Sequence, residues 1–389
     1  MTASMVEAAV ASAHRSRRAL LKYLSGNDCG LTGGHQCGMY LPKRFWKLFA
    51  PFAPVKGRLD RHEVAIDWQV GERSTSSMVT WYGQGTRSEY RLTRFGRKFP
   101  YLEADRVGDL VVLVPTGSSA FSAFVFDSAE DISDVQAALG VEVIDGCAAF
   151  DPNRIASAEH EDECLARQFK AFADQLVAFP SGDAFSKAAR EALATCIGSL
   201  VSRSADDRLV QFVQAEYALF KTVEARLCCT EVQGPFTTID DFLRTAASIM
   251  NRRKSRAGRS MENHVGHLLR EAGIPFDSRP SIEGEPDVVI PSTAAYADKS
   301  YPADKLFMLG IKTTCKDRWR QVTREAPRIV KKHLITLQEG VSEAQLTEMR
   351  KQDVVLVVPK RMHVHYPTAV RGHLMDFQGF ISLVRGAHG

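Results

Sequence analysis

E-P-D-V-V-I-P at residues 285–291 and L-F-M-L-G-I-K-T-T at residues 306–314 decide the fold of the carboxy-terminal half. Each is a short apolar run bounded by Pro, Gly or charge, the pattern of a strand buried on both faces. Working outward, M-E-N-H-V-G-H-L-L-R-E-A-G (261–273), D-R-W-R-Q-V-T-R-E-A-P-R-I-V-K-K (317–332) and S-E-A-Q-L-T-E-M-R-K (342–351) read as helices. H-L-I-T-L-Q (333–338) and D-V-V-L-V-V-P (353–359) read as further strands. This alternation predicts an α/β unit with a mixed or parallel sheet flanked by helices.

Asp287 precedes the first run and Lys312 ends the second, 25 residues later. A carboxylate and an ammonium at the ends of neighbouring strands are what a metal-dependent phosphodiesterase needs. The acid holds a hard divalent cation through oxygen, and the lysine orients the attacking water and steadies negative charge on the phosphorane. This is the PD-(D/E)xK layout. Its usual second acid stands two residues before the lysine, where this chain has Gly310. Replacement carboxylates are Glu325, 13 residues after Lys312 on the predicted helix, and Glu262, on the helix before the first strand. Spacing alone also fits Asp287 capping a turn, with Lys312 and both glutamates solvated.

Further upstream, residues 184–250 are helical in pattern, as in I-D-D-F-L-R-T-A-A-S-I-M (239–250). Residues 25–150 change texture: H-E-V-A-I-D-W-Q-V (62–70), S-M-V-T-W-Y-G (77–83), S-E-Y-R-L-T-R-F-G (88–96), D-L-V-V-L-V-P (109–115) and A-F-S-A-F-V-F-D (120–127) are strands between turn residues. They predict a barrel or sandwich. Residues 5–24 carry apolar positions at helical spacing and predict an opening helix, and the acidic stretch from 151 to 168 reads as linker plus the start of a helix. A chain of 389 residues exceeds one ordinary core, so the expected division is 1–155, a linker at 156–178, and 179–389.

Composition narrows the classes. Hydrophobic residues at 44% and charged residues at 25% argue against long disorder. Glu7 and the basic residues from His14 to Arg18 interrupt any signal-peptide core, and no apolar run reaches membrane-spanning length. The eight cysteines form no CxxC pair and read as reduced thiols in a cytoplasmic protein. The Cys228–Cys229 pair reads as core packing, and His363 and His365 as surface residues on a strand end without a third metal ligand. Net charge is only +4, because acidic stretches such as E-H-E-D-E (159–163) offset basic ones at 87–98, 252–259 and 316–320.

L-S-G-N-D-C-G-L-T-G-G-H-Q-C-G-M-Y-L-P (24–42), N-R-R-K-S-R-A-G-R-S (251–260), I-K-T-T-C-K-D-R-W-R-Q (311–321) and H-L-I-T-L-Q-E-G-V-S (333–342) together resemble the EcoRII-type restriction endonucleases, in the same order and through both halves. The resemblance implies an amino-terminal B3-like β-pseudobarrel that binds a further copy of the recognition site, followed by a PD-(D/E)xK catalytic domain. It implies a dimeric type II enzyme that uses Mg²⁺. Its catalytic positions fall on Asp287, Lys312 and Glu325, with Glu262 beside them; Tyr296 matches a tyrosine near the active site and fits a loop-packing residue equally well, and Asp287 and Glu325 are the implied metal ligands.

The same resemblance places sequence readout on Lys316, Asp317 and Arg318, whose donors suit guanine O6 and N7 and whose carboxylate suits the cytosine amine. Arg252, Arg253, Lys254 and Arg256 are expected on DNA phosphates; a solvated basic loop is the alternative. In the amino-terminal domain the expected DNA contacts are His35, Tyr40, Arg87, Glu89 and Arg91. Tyr217 matches a region where relatives hold a flipped central base, and fits a core aromatic equally well. The chain departs from its relatives at Gly85 and Tyr90, which replace lysines, and at Gln214, which replaces an arginine.

The expectation is a soluble, cytoplasmic endonuclease cutting double-stranded DNA at a CC/GG-flanked site, CCWGG first, and needing a companion DNA methyltransferase to protect the cell's own DNA. Two alternatives stay open: the same fold with altered specificity, for another central base or a methylated cytosine, and a non-catalytic B3-like DNA-binding protein.

Overall fold

The computed structural model describes residues 4–32, 38–71, 73–144, 146–152 and 163–388. The chain forms two compact units. The first comprises residues 1–153 together with Gln338–Glu348 and Met362–Gly372; the second takes the remainder. No helix is long and apolar enough to cross a membrane among the described residues.

The first unit runs α1 (Met5–Ser16), β1 (Ala19–Tyr23), β2 (Met39–Leu41), β3 (Leu59–Trp68), β4 (Arg73–Tyr82), β5 (Glu89–Thr93), β6 (Leu110–Pro115), β7 (Ala120–Phe126), α2 (Ala129–Leu139) and β8 (Cys147–Phe150). Its eight strands among the described residues make one sheet in the order β2-β5-β4-β3-β7-β6-β1-β8, antiparallel except for the β3–β7 pair. The opening helix is shorter than its apolar pattern predicts. Arg17 adopts a left-handed conformation (φ 57°) that ends α1, and Leu20 and Leu21 instead enter a strand paired on both sides, with β6 and with β8.

Period-two alternation divides the sheet's side chains between two cores. One face gathers Val64, Ile66, Trp68, Val79, Trp81, Tyr90, Leu92, Val111 and Leu113. The other packs Leu21, Leu110, Val112, Phe124 and Phe126 against α1 and α2. Tyr90 is wholly buried, 4.8 Å from Trp81, and its hydroxyl donates to the Phe52 carbonyl at 2.7 Å. Tyr90→Phe should therefore lower the stability of this unit by about 1 kcal/mol, read as a shift of its thermal unfolding midpoint. The two carboxy-terminal segments are tied in and tied to each other: the Gly26 amide donates to the His365 carbonyl at 2.6 Å, and the Tyr366 hydroxyl donates to the Gln338 carbonyl at 2.7 Å.

The second unit opens with α3 (Glu163–Asp174), α4 (Gly182–Cys196), α5 (Ala205–Gln233) and α6 (Ile239–Glu271). Helix α3 starts inside the stretch read as linker, with Leu165, Phe169 and Ala173 on its buried face. The reading of all cysteines as reduced thiols is corrected here: the packing of α3 on α4 brings the Cα atoms of Cys164 and Cys196 to 5.7 Å, and a disulfide joins them. The Cys228–Cys229 pair divides, the first buried and the second exposed. A buried set, Glu216 on α5 2.9 Å from His264 on α6 and Arg190 on α4 3.1 Å from the same ring, ties the three helices together.

Then follow, in chain order, β9 (Asp277–Ser278), β10 (Val288–Ile290), α7 (Thr293–Ala297), β11 (Phe307–Ile311), α8 (Trp319–Val322), β12 (Lys332–Ile335), α9 (Glu343–Lys351, of which residues through Glu348 belong to the first unit), β13 (Val354–Val357) and α10 (Phe377–His388). The sheet order is β13-β12-β11-β10-β9. Strands β9, β10 and β11 are antiparallel, and β11, β12 and β13 parallel, so the sheet is mixed. The helix expected over 317–332 shrinks to the single turn of α8, because Pro327 has no amide to donate and Ala326 takes a positive φ of 43°. His363 and His365 lie on a 3-10 turn, not a strand end, and His363 is buried.

Candidate active site

Register places the acid and the lysine together. Val288 faces Leu309 across the β10–β11 pair, so Asp287 falls opposite Gly310, one residue from the end of β11. Asp287 Oδ2 accepts from the Ile311 amide at 2.6 Å and from Lys312 Nζ at 2.8 Å. Lys312 is itself fixed by its backbone amide, which donates to the Ile335 carbonyl of the parallel neighbour.

Gly310 explains the missing acid. It shares a sheet face with Lys312, and a Cβ there would lie 2.9 Å from Val322 and 3.5 Å from Leu334. Helix α8 occupies the space an acidic side chain would need, and the chain leaving α8 delivers Glu325 in its place. Glu325 thus sits on the turn after the helix, correcting its expected place on the helix. That turn is clamped from two sides. Gly284 (φ 78°) approaches so closely that a Cβ would fall 2.6 Å from the Glu325 Cα, and the Ala326 amide donates to the Glu283 carbonyl at 2.8 Å. From below, buried Lys332 donates through Nζ to the carbonyls of Glu325 and Ala326.

Burial dominates the electrostatics of the two glutamates beside Lys312. Glu325 is 5% exposed, and its Oε2 is buried without a hydrogen-bond partner. Burial pushes its carboxyl up to about 7; Lys312 and Lys332 pull it down and Asp287 adds to the rise. Glu262, carried by α6, is also raised, chiefly by burial, although Arg279 opposes this through a 2.7 Å hydrogen bond. Its carboxylate feels both Asp287 and Lys312. Asp287, Lys312, Glu325 and Glu262 therefore form one electrostatic group. Among the described residues, no three His, Cys, Asp or Glu side chains converge as a closed metal cage. One or two carboxylates, completed by water and substrate phosphate, are what Mg²⁺ ordinarily takes, and the unpartnered Glu325 oxygen is a donor of that kind. The residues fit the ion.

Tyr296 stands apart from this group. It is buried, with its hydroxyl donating to Glu283 at 3.1 Å, while Arg328 holds the loop beyond it through the carbonyls of Ala295, Tyr296, Asp298 and Tyr301. Arg279, Glu283, Arg328 and Lys332 escaped the sequence reading. Lys332 looked like the charged end of a helix, and no spacing rule links these residues to Asp287.

Lys316, Asp317 and Arg318 lie on the turn before α8, with Lys316 buried and the other two exposed. The basic run 252–259 belongs to α6, and most of its cations turn inward, correcting the expectation of a phosphate-facing run. Although the run itself holds no acid, α5 supplies them. Arg252 pairs with Glu231 at 2.8 Å and Arg253 with Glu224 at 2.6 Å. Arg256 is buried over the rings of Tyr217 and Phe220, and burial lowers it to about 9. Tyr217 thus faces a cation within its own fold. Lys254 and Arg259 are exposed.

In the first unit, Tyr40 pairs with Arg91 across β2 and β5, and Arg91 Nε donates to Glu89 at 3.1 Å. Burial and nearby Glu89 raise the Tyr40 hydroxyl. Arg87 is exposed, its guanidinium 5.3 Å from the Tyr82 ring. His35 lies outside the described residues. Tyr90, where the resemblance implies a lysine, sends its side chain into the core through strand alternation, and Gly85 lies on an exposed turn.

The family model for the EcoRII carboxy-terminal domain matches residues 220–381, and that for the EcoRII amino-terminal domain matches residues 13–153. The type II restriction enzyme EcoRII of Escherichia coli is 34% identical over 396 aligned residues, covering 95% of this chain and 94% of its own. The type II restriction enzyme SsoII of Shigella sonnei is 28% identical over 144 residues, covering 32% of this chain and 46% of its own. Among solved structures, a complex of restriction endonuclease PspGI with substrate DNA aligns with a TM-score of 0.46 and 12% identity, over 54% of this chain and 93% of that one.

Proposed function

The chain belongs to the EcoRII family of type II restriction enzymes, and from that premise we propose that it makes Mg²⁺-dependent double-strand cuts in DNA at a short CC/GG-flanked site, CCWGG first. The observation that carries this reading is the buried, unpartnered Glu325 oxygen in one electrostatic group with Asp287 and Lys312.

Asp287 and Glu325 would hold the ion, with Glu262 as an additional carboxylate. When bound, Mg²⁺ supplies positive charge to the scissile phosphate and lowers the pKa of water. Lys312 Nζ, aimed by Asp287, orients the attacking water and steadies charge on the phosphoryl oxygens. Lys316, Asp317 and Arg318, within six residues of Lys312, would couple base readout to cleavage. Exposed Lys254 and Arg259 would face phosphate. Tyr296 and Tyr217 are proposed to shape the site from behind. The unit built mainly from residues 1–155 is proposed to bind a further DNA copy through Tyr40, Arg87, Glu89 and Arg91, and the residues from 179 onward to cut. Two copies acting together would cut both strands in the cytoplasm of a cell whose own sites a DNA methyltransferase protects.

A second reading, the same chemistry on a variant or methylated site, is favoured by Gly85, where the resemblance implies a lysine and this chain has an exposed glycine turn. Sequencing the ends of DNA digested with Mg²⁺, on methylated and unmethylated templates, separates the two. Cuts confined to unmethylated CCWGG support the first reading and cuts that follow methylation the second; random or metal-independent cuts would overturn both.

A further inference from the structure

Between β9 and β10 the chain turns back through residues 279–287, and the two ends of this turn are tied to each other. Ser278 pairs with Val288, and the Arg279 amide donates to the Asp287 carbonyl at 2.9 Å. The backbone of Arg279 is thereby fixed on the acid that aims Lys312. Arg279 also holds a left-handed conformation (φ 48°), as does Glu285 in the same turn (φ 51°). That geometry is strained for residues other than glycine, and such strain gathers at active sites and ligand clamps.

The guanidinium reaches across to α6. Its Nε and Nη2 both meet one oxygen of Glu262, Oε2, at 2.7 and 2.5 Å, which leaves Oε1 for an ion. A guanidinium has five N–H donors, and among the described residues the Nη1 of Arg279 has no hydrogen-bond partner. The Arg279 side chain is 51% exposed against 23% for Glu262, so the cation stands at the surface with its acid beneath it. Arg259, one turn before Glu262 on α6, is exposed as well. Asp287, Glu325 and Glu262 gather here around Lys312, and together they repel the phosphates of an approaching strand. A cation at the rim offsets that repulsion. A lysine is a point charge, whereas a planar guanidinium serves a carboxylate along one edge and a phosphate along another.

We propose that Arg279 is a further substrate-contacting residue: from its seat on Glu262 it takes a phosphate oxygen of the strand being cut, beside the phosphate that Lys312 faces. Such a contact positions the strand and reads no base. It rests on the reading of the chain as a DNA nuclease and names one of the groups by which that site holds its substrate.

Fluorescence anisotropy of the full chain with a labelled duplex carrying CCTGG, in chelator and across a range of salt, tests it. Arg279→Gln should weaken binding and lower the slope of log affinity against log salt by about 0.9, the counterion of one phosphate. Arg279→Lys keeps the charge and should keep the slope. The double variant Glu262→Gln/Arg279→Gln separates this contact from a merely structural pairing. If Arg279 only neutralised Glu262, removing both would return the wild-type slope; with the phosphate contact, the slope stays lower by about 0.9. Single-turnover cleavage in Mg²⁺ by Arg279→Gln should also fall about tenfold, as the strand loses its position. A wild-type slope in Arg279→Gln, or its return in the double variant, would overturn the contact. Where the wild type binds and cuts but those slopes stay equal, the nuclease reading stands without Arg279. A wild type that neither binds duplex DNA nor cuts plasmid overturns the nuclease reading and the contact together.

Discussion

Lys312→Ala should cut plasmid DNA with Mg²⁺ at least about 10³-fold more slowly than the wild type, a loss of roughly 4 kcal/mol of transition-state stabilisation, while binding its DNA site within a few-fold. The side chain ends at the point where β10 and β11 bring Asp287 and the strand terminus together, and its ammonium is already oriented by a 2.8 Å contact with Asp287. Charge develops on the phosphoryl oxygens in the transition state, so removing a cation held at that position raises the barrier more than it weakens ground-state binding. Alanine leaves the β11–β12 pairing intact, because the residue's structural contact is its backbone amide. Single-turnover cleavage and a gel-shift titration in Ca²⁺ measure the two halves of the expectation; near-wild-type cleavage by this variant would remove Lys312 from the mechanism.

Glu325→Gln should lose cleavage by about 10²-fold or more and yet stabilise the metal-free protein at alkaline pH. The carboxyl is pushed up to about 7 in the folded chain by burial, against an unfolded value near 4.3. A raised folded value means that its contribution to stability is whole below about pH 4 and is lost as pH rises through about 7. Glutamine stays neutral and does not suffer that loss. In chelator at pH 8 the variant should therefore be more stable by about 1–3 kcal/mol, or several degrees in the melting temperature of a unit this size, and should match the wild type near pH 4. Mg²⁺ should restore the wild type's stability at pH 8 and leave the variant unmoved. A variant less stable than the wild type in chelator at pH 8 would contradict the buried, unpartnered carboxylate.

The two strands that aim Asp287 and Lys312 were legible because apolar runs bounded by turn residues admit few other arrangements. Glu325 was legible as a residue and not as a position. Its place depends on α8 packing over Gly310, where Val322 and Leu334 both close on the space beside that residue. Lys332 and Arg279 were invisible for the same reason: each acts through carbonyls or a carboxylate brought near by the fold, and nothing in their sequence neighbourhood distinguishes them from solvated charges. The basic run on α6 shows the opposite error. Charge density suggested DNA, but Glu224 and Glu231, acids on another helix, neutralise Arg253 and Arg252, and aromatic rings take Arg256. In the strand-rich unit, the alternation that made β5 recognisable also determines that Tyr90 points inward while Glu89 and Arg91 point the other way.

The first unit is completed by Gln338–Glu348 and Met362–Gly372, segments that leave the ribosome after Asp287, Lys312 and Glu325. At an elongation rate of about 5–20 residues per second, the amino-terminal residues wait roughly ten seconds or more for Gln338 and Tyr366, the last of their packing partners. Synthesis therefore orders the molecule's assembly: Asp287, Lys312 and Glu325 are made before the strand-rich unit can close its core, and a chain truncated between residues 326 and 337 would carry all three while lacking both segments that complete that unit.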